Sequence, residues 1–120
     1  MARPSKQLAY QRLNHKYLQE AGALLAKPDL PQASEKLWGA AAEMIKAVAA
    51  KRGVALGTHR SLAEFVERLD REHPELDLLA GFHIANSLHV NFYEDHYPER
   101  TVRRGATAVH SFVDNLRGLL

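Results

Sequence analysis

The chain has 120 residues, 16 of them basic and 14 acidic, for a formal charge of +2. That length suits one domain, expected to span 1–120. A hydrophobic content of 46% with 25% charged residues excludes a disordered chain. Cysteine is absent, which excludes disulfides, thiolate zinc sites and a cysteine nucleophile. The near balance of charge argues against a strongly electrostatic nucleic-acid binder and leaves room for a local basic patch. No run approaches the roughly 18 apolar residues that span a bilayer. The start Met1-Ala2-Arg3-Pro4-Ser5 lacks the apolar core of a signal peptide. A cytoplasmic protein with no membrane segment is expected.

Prolines at 4, 28, 31, 74 and 98 punctuate five helical segments. The first is expected from Ser5, as N-cap, to Ala26, with Tyr10, Leu13, Tyr17, Ala21, Leu24 and Leu25 at helical spacing. Pro31 suits the first turn of the second, which is expected from Gln32 to Lys51 or Arg52. Two stripes share that segment: Ala33, Leu37, Ala41, Met44 and Val48, and Trp38, Ala42, Ile45 and Ala49. Together they make a wide apolar face, so this helix is expected at the centre. Ala40, Ala41 and Ala42 let a neighbour approach closely.

Gly53 is the expected C′ residue of the second helix. Ser61-Leu62-Ala63-Glu64 fits a capping box with Ser61 as N-cap. The third helix then turns Leu62, Phe65, Val66 and Leu69 inward and stops before His73-Pro74. The fourth is expected from Glu75 to Phe92 or Tyr93, and the fifth from Glu99 to Leu119. The fifth has the cleanest pattern: Val102, Ala106, Val109, Val113, Leu116 and Leu120. Short connections favour antiparallel neighbours, so the predicted fold is an all-α, antiparallel up-and-down bundle.

Catalytic signatures are few. The seven histidines are scattered, and His83 and His89 are six apart, about 120° around a helix. Zinc on a helix wants two histidines one turn apart, so no metal and no cofactor are expected. No glycine-rich phosphate loop or nucleophile elbow is present. The densest anomaly is Asn86 to Arg100, crowded with Asn, His and Tyr. It reads either as a site at the junction of the last two helices or as polar groups bonded to backbone at a helix end. Within it His89, Asn91, Tyr93 and Arg100 are the candidate ligand-binding residues. Arg100, Arg103 and Arg104 form a cationic group near the start of the fifth helix. It reads either as an anion site or as a solvated face with salt bridges.

Three blocks carry a family resemblance: Ala33-Ser34-Glu35-Lys36-Leu37-Trp38-Gly39-Ala40-Ala41, then His59, then Leu88-His89-Val90-Asn91-Phe92-Tyr93-Glu94 followed by Tyr97-Pro98-Glu99. On these the chain resembles the HEPN superfamily (higher eukaryotes and prokaryotes nucleotide-binding), and within it the archaeal PaREP family. The resemblance implies an antiparallel helical bundle, commonly a homodimer. Many superfamily members are ribonucleases of toxin–antitoxin or defence systems, marked by Arg, four to six residues, then His. Arg68 to His73 fits that spacing at the end of the third helix, and Arg104 to His110 and Arg103 to His110 fit in the fifth. Arg103, Arg104 and His110 are therefore the candidate catalytic residues. Gly105 stands where those enzymes usually carry a polar residue. Other branches keep the bundle without the signature and pair with nucleotidyltransferase partners, and Tyr97-Pro98 looks more like those.

The resulting expectation is a non-catalytic nucleotide- or RNA-associated module, or one that binds a partner protein. The alternatives are a metal-independent endoribonuclease of toxin–antitoxin type, with His110 as general acid or base and Arg103 or Arg104 at the phosphate, and a purely structural dimeric interaction protein.

Overall fold

A computed structural model describes the backbone of residues 2–120 and the side chains of residues 6–120. Five α-helices follow in order: α1 Ala2–Ala26, α2 Leu30–Lys51, α3 His59–Glu72, α4 Leu78–Glu94 and α5 Glu99–Arg117. One 3₁₀ turn, Pro74–Leu76, separates α3 from α4. The described residues contain no strand. None of these helices is long and apolar enough to cross a membrane.

Helix α2 is the axis, as its wide apolar face requires. It packs against each of the other four helices. Leu37, Met44, Ile45 and Val48 are almost fully buried along it. The core closes over them with Val66 and Leu69 of α3, Leu78 and Leu88 of α4, and Val102, Val109, Val113 and Leu116 of α5. Helix α1 lies along the alanine-rich side. There Asn14 is buried and donates through Nδ2 to the Ala40 carbonyl at 2.7 Å. Gly39 meets the Tyr17 ring, where an added Cβ would stand 3.1 Å from Cδ2. Small residues on α2 thus set how near α1 comes.

Three boundaries differ from the sequence expectation, each for a local reason. Ser5 lies inside α1, so it is not the cap. Asp29 caps α2 by accepting from the Gln32 amide at 3.3 Å, which starts the helix at Leu30 with Pro31 in its first turn. The box at α3 is shifted three residues back. Thr58 is the N-cap: its Oγ1 accepts from the Ser61 amide at 2.9 Å, and Ser61 Oγ accepts from the Thr58 amide at 3.0 Å. Serine here does the reciprocal work expected of a glutamate, and Glu64 pairs with Arg60 instead. His59 thereby becomes the first residue of α3 rather than part of a loop.

The chain beyond Pro74 also departs from expectation. Left-handed Asp77, φ 50°, breaks the segment, so α4 starts at Leu78 and not at Glu75. Gly53, φ 73°, follows the end of α2 as expected. Helix α5 ends two residues early, at Arg117.

Helices α4 and α5 interlock through a glycine on each. Gly81 of α4 receives the Phe112 ring, and Gly105 of α5 receives Leu88, whose methyl carbons would lie 3.1 and 3.2 Å from an added Cβ. At Gly81 an added Cβ would stand 2.5 Å from Phe112 Cδ1 and 3.0 Å from its Cβ. Gly81→Ala should therefore destabilise by about 1–3 kcal/mol despite the better helix propensity of alanine. Gly22→Ala, with nothing within 4 Å of the new atom, should stabilise by up to about 1 kcal/mol. Urea midpoints of the two variants check this. Equal shifts would contradict the interlock.

Candidate functional site

The polar stretch at the end of α4 divides into a part that builds the corner and a part that faces outward. Asn91 builds the corner. It is fully buried. Its Nδ2 donates to Ser34 Oγ of α2 at 3.1 Å, and its Oδ1 accepts from the His96 and Tyr97 amides at 3.0 and 2.9 Å. Ser34 in turn donates to the Leu30 carbonyl at 2.8 Å. Left-handed Asp95, φ 46°, turns the chain there. One buried amide so fastens the α4–α5 connection to α2, and Tyr97 packs on the core below it. Of the four candidate ligand-binding residues, Asn91 is the one a ligand does not reach.

His89 and Tyr93 face the other side of α4, and three residues from other helices join them. His89 Nδ1 donates to Glu35 Oε1 of α2 at 2.8 Å. Its ring lies 5.3 Å from Trp38 and 5.4 Å from His59, centroid to centroid. His59 stacks on Trp38 at 4.6 Å with 14° between the planes. Its Nε2 donates to Asn86 Oδ1 at 2.7 Å. Tyr93 stands edge-on to His89 at 5.4 Å and is 72% exposed. Trp38 is buried, whereas His59 is open to solvent. The result is a small shelf of stacked rings with an indole floor and polar groups at its rim.

The arginines lie on the first half of α5. Arg100, Arg103, Arg104 and Thr107, with Glu99, line an open groove of about 460 Å³. Arg103 is held in place: Nε donates to Glu99 Oε2 at 2.8 Å, and Nη2 donates to the Leu25 carbonyl at 2.8 Å. That carbonyl ends α1, where a cation is favoured by the helix dipole. Arg100 and Arg104 are exposed and make no ion pair among the described residues. Arg104 also borders a second groove, with Ile84, Ser87, Leu88, Tyr97, Thr101 and Gly105.

His110 is exposed further along α5 and makes no hydrogen bond among the described residues. Arg103 shares its helix face at about 10 Å along the axis, while Arg104 lies off that face. The arginine aligned with His110 is thus the one bound to Glu99 and Leu25. Gly105, the departure from the ribonuclease pattern, has a packing reason, since Leu88 rests on it. His73 caps the C-terminus of α3, so the Arg68–His73 match falls at a helix end.

A family model described as the archaeal PaREP1/PaREP8 family matches residues 9–113. The chain belongs to this family. The matched span contains the shelf, the corner and the arginine groove. The PaREP chain is also similar to a Sulfolobus solfataricus protein of known crystal structure, with a TM-score of 0.80 and 24% identity. The alignment covers 89% of this chain and 95% of that one, and it supports the fold. No curated protein matches the chain.

Glu35, Trp38, His59 and Asn86 were not among the site residues read from the sequence. The signal for three of them was present: they lie in the separate blocks on which the family resemblance rests, and the fold brings those blocks to one place. Asn86 belongs to none of those blocks; it opens the polar stretch singled out in the sequence, and its bond to His59 gives it a place in the shelf.

On its α1 side the shelf borders a further groove of about 380 Å³ along α2, lined among others by Tyr17, Glu35, Lys36, Trp38, Glu43 and Lys46. Among the described residues Glu43 Oε2 is buried there without a hydrogen bond, and Lys46 Nζ is 3.8 Å away. Burial pushes the Glu43 carboxyl up, and Lys46 offsets part of that. A raised folded-state value favours the protonated form, so the charged form lowers stability at neutral pH. Glu43→Gln should raise stability at pH 7, by under about 1 kcal/mol. The gain should vanish as pH falls through the raised value, where the native carboxyl takes up its own proton. Thermal denaturation of both proteins across that range checks the sign.

Proposed function

We propose that this PaREP chain is a non-catalytic, nucleotide- or RNA-associated module of the HEPN kind, acting in the cytoplasm as a homodimer. One observation carries the reading. Arg100 and Arg104 stand exposed beside Arg103 and Thr107 in an open groove, free of ion pairs among the described residues. Guanidinium groups in that setting suit phosphate oxygens, which accept bidentate bonds. A phosphate backbone bound this way gives affinity without base specificity. The overall charge of only +2 keeps such binding local to the groove.

Binding of a short single-stranded RNA, followed by fluorescence polarisation over a salt series, tests this. Affinity should fall steeply with salt. The Arg100→Ala/Arg103→Ala/Arg104→Ala variant should lose most of it, with a salt slope lower by about 2. The RNA should be recovered intact. Cleavage abolished by His110→Ala would establish the endoribonuclease reading instead. Absence of salt-dependent binding in the parent would leave an interaction protein, with a second copy or a nucleotidyltransferase-type protein as partner.

A further inference from the structure

We infer that the shelf formed by Trp38, His59, His89 and Tyr93 is a nucleobase-binding site, separate from the arginine groove. The inference rests on the RNA-associated reading for its ligand class and adds where the base, rather than the phosphate, is held.

The rings supply the stacking surface. One face of His59 lies on the indole of Trp38, 4.6 Å between centroids and 14° from parallel. His59 is nevertheless exposed, so its opposite face is open to a planar ligand. Tyr93, 72% exposed and edge-on to His89, adds a second exposed ring to the shelf. Aromatic and imidazole faces of this kind bind splayed-out bases with little dependence on base identity.

The rim favours a heteroaromatic ring over an apolar one. Asn86 accepts from His59 through Oδ1, which leaves its Nδ2 donor unused among the described residues. Glu35 accepts from His89 through Oε1, which leaves Oε2 without a hydrogen bond among the described residues. His59 gives Nε2–H to Asn86 and His89 gives Nδ1–H to Glu35, and His59 Nδ1 and His89 Nε2 make no hydrogen bond among the described residues. Donors and acceptors around a stacked face match the mixed edge of a base. An apolar peptide side chain would leave them unpaired, at a penalty. A metal ion fits less well. One nitrogen of each imidazole is already bonded, and no group of three His, Cys, Asp or Glu capable of holding a metal occurs among the described residues.

The anchoring of both histidines explains why the shelf is ready before any ligand arrives. The Thr58 cap makes His59 the first residue of α3, and Glu35 fixes the ring of His89 from α2. A preformed aromatic face loses little freedom on binding.

Trp38 is the chain's one tryptophan, so its emission reports on this place alone. Adenosine, which carries a base and no phosphate, should quench that emission saturably, and ribose 5-phosphate should not. His59→Ala and Tyr93→Ala should each weaken adenosine binding about tenfold. His59→Phe, which keeps a ring, should retain it within a few-fold, which separates lost stacking from lost folding. The triple arginine variant should respond to adenosine as the parent does. No saturable response to adenosine, or one unchanged in both alanine variants, would overturn the shelf. Loss of RNA binding by the arginine variant in that case leaves the phosphate groove standing alone. RNA binding indifferent to the arginines, with the adenosine response intact, overturns the groove and keeps the shelf.

Discussion

The buried amide of Asn91 is the constraint from which the surface of this protein follows. It sits where α4 ends, out of reach of water. Its Nδ2 donates to Ser34 on α2, and its Oδ1 accepts from the two backbone amides that lead into α5. A buried polar group left unpaired costs about 1–3 kcal/mol, so the three bonds select one geometry for the corner. That geometry turns His89 and Tyr93 to one flank of α4. On the other flank it starts α5 so that its arginines emerge together. An apolar residue at 91 would leave the amides of 96 and 97 without this partner, and the corner would have several ways to lie.

Helix α2 provides the surface to which everything else is fastened. Its small residues admit α1 at close range, and its larger ones fill the gap to α4 and α5. The glycines at 81 and 105 extend the same logic to the α4–α5 contact, each accepting a large side chain from the facing helix. Packing at this density leaves few alternatives for how helices rotate about their axes. The shelf and the arginine groove therefore sit on a rigid base, and Trp38 of the shelf is itself part of the core.

The helices were legible because apolar spacing and proline punctuation are local signals. All four inward residues expected on α3, Leu62, Phe65, Val66 and Leu69, are buried. The boundaries were less legible where two caps compete. Ser61 with Glu64 reads as a box, but Thr58 with Ser61 forms the reciprocal pair three residues earlier. That shift matters, because it carries His59 into a helix and onto Trp38. The anomaly around Asn86 to Arg100 was visible as composition, and it holds both kinds of residue anticipated there: Asn91 bonded to backbone at a helix end, His89 and Tyr93 facing outward. What could not be read was the company they keep. Glu35 and Trp38 are about fifty residues away from His89 in the chain, and only the tertiary fold makes them neighbours.

Amide hydrogen exchange at His96 and Tyr97 tests the role of Asn91 most directly, with amides in the middle of α2, such as Met44 and Ile45, as the internal reference. In the parent protein both corner amides should be protected well beyond an exposed loop, although their segment is not helical. In Asn91→Ala they should exchange at least about tenfold faster relative to the α2 reference, since the bond to Oδ1 is gone. Corner amides that exchange in the parent at the rate of an unstructured peptide would contradict this role, because the buried amide would then not fix the turn that leads into α5.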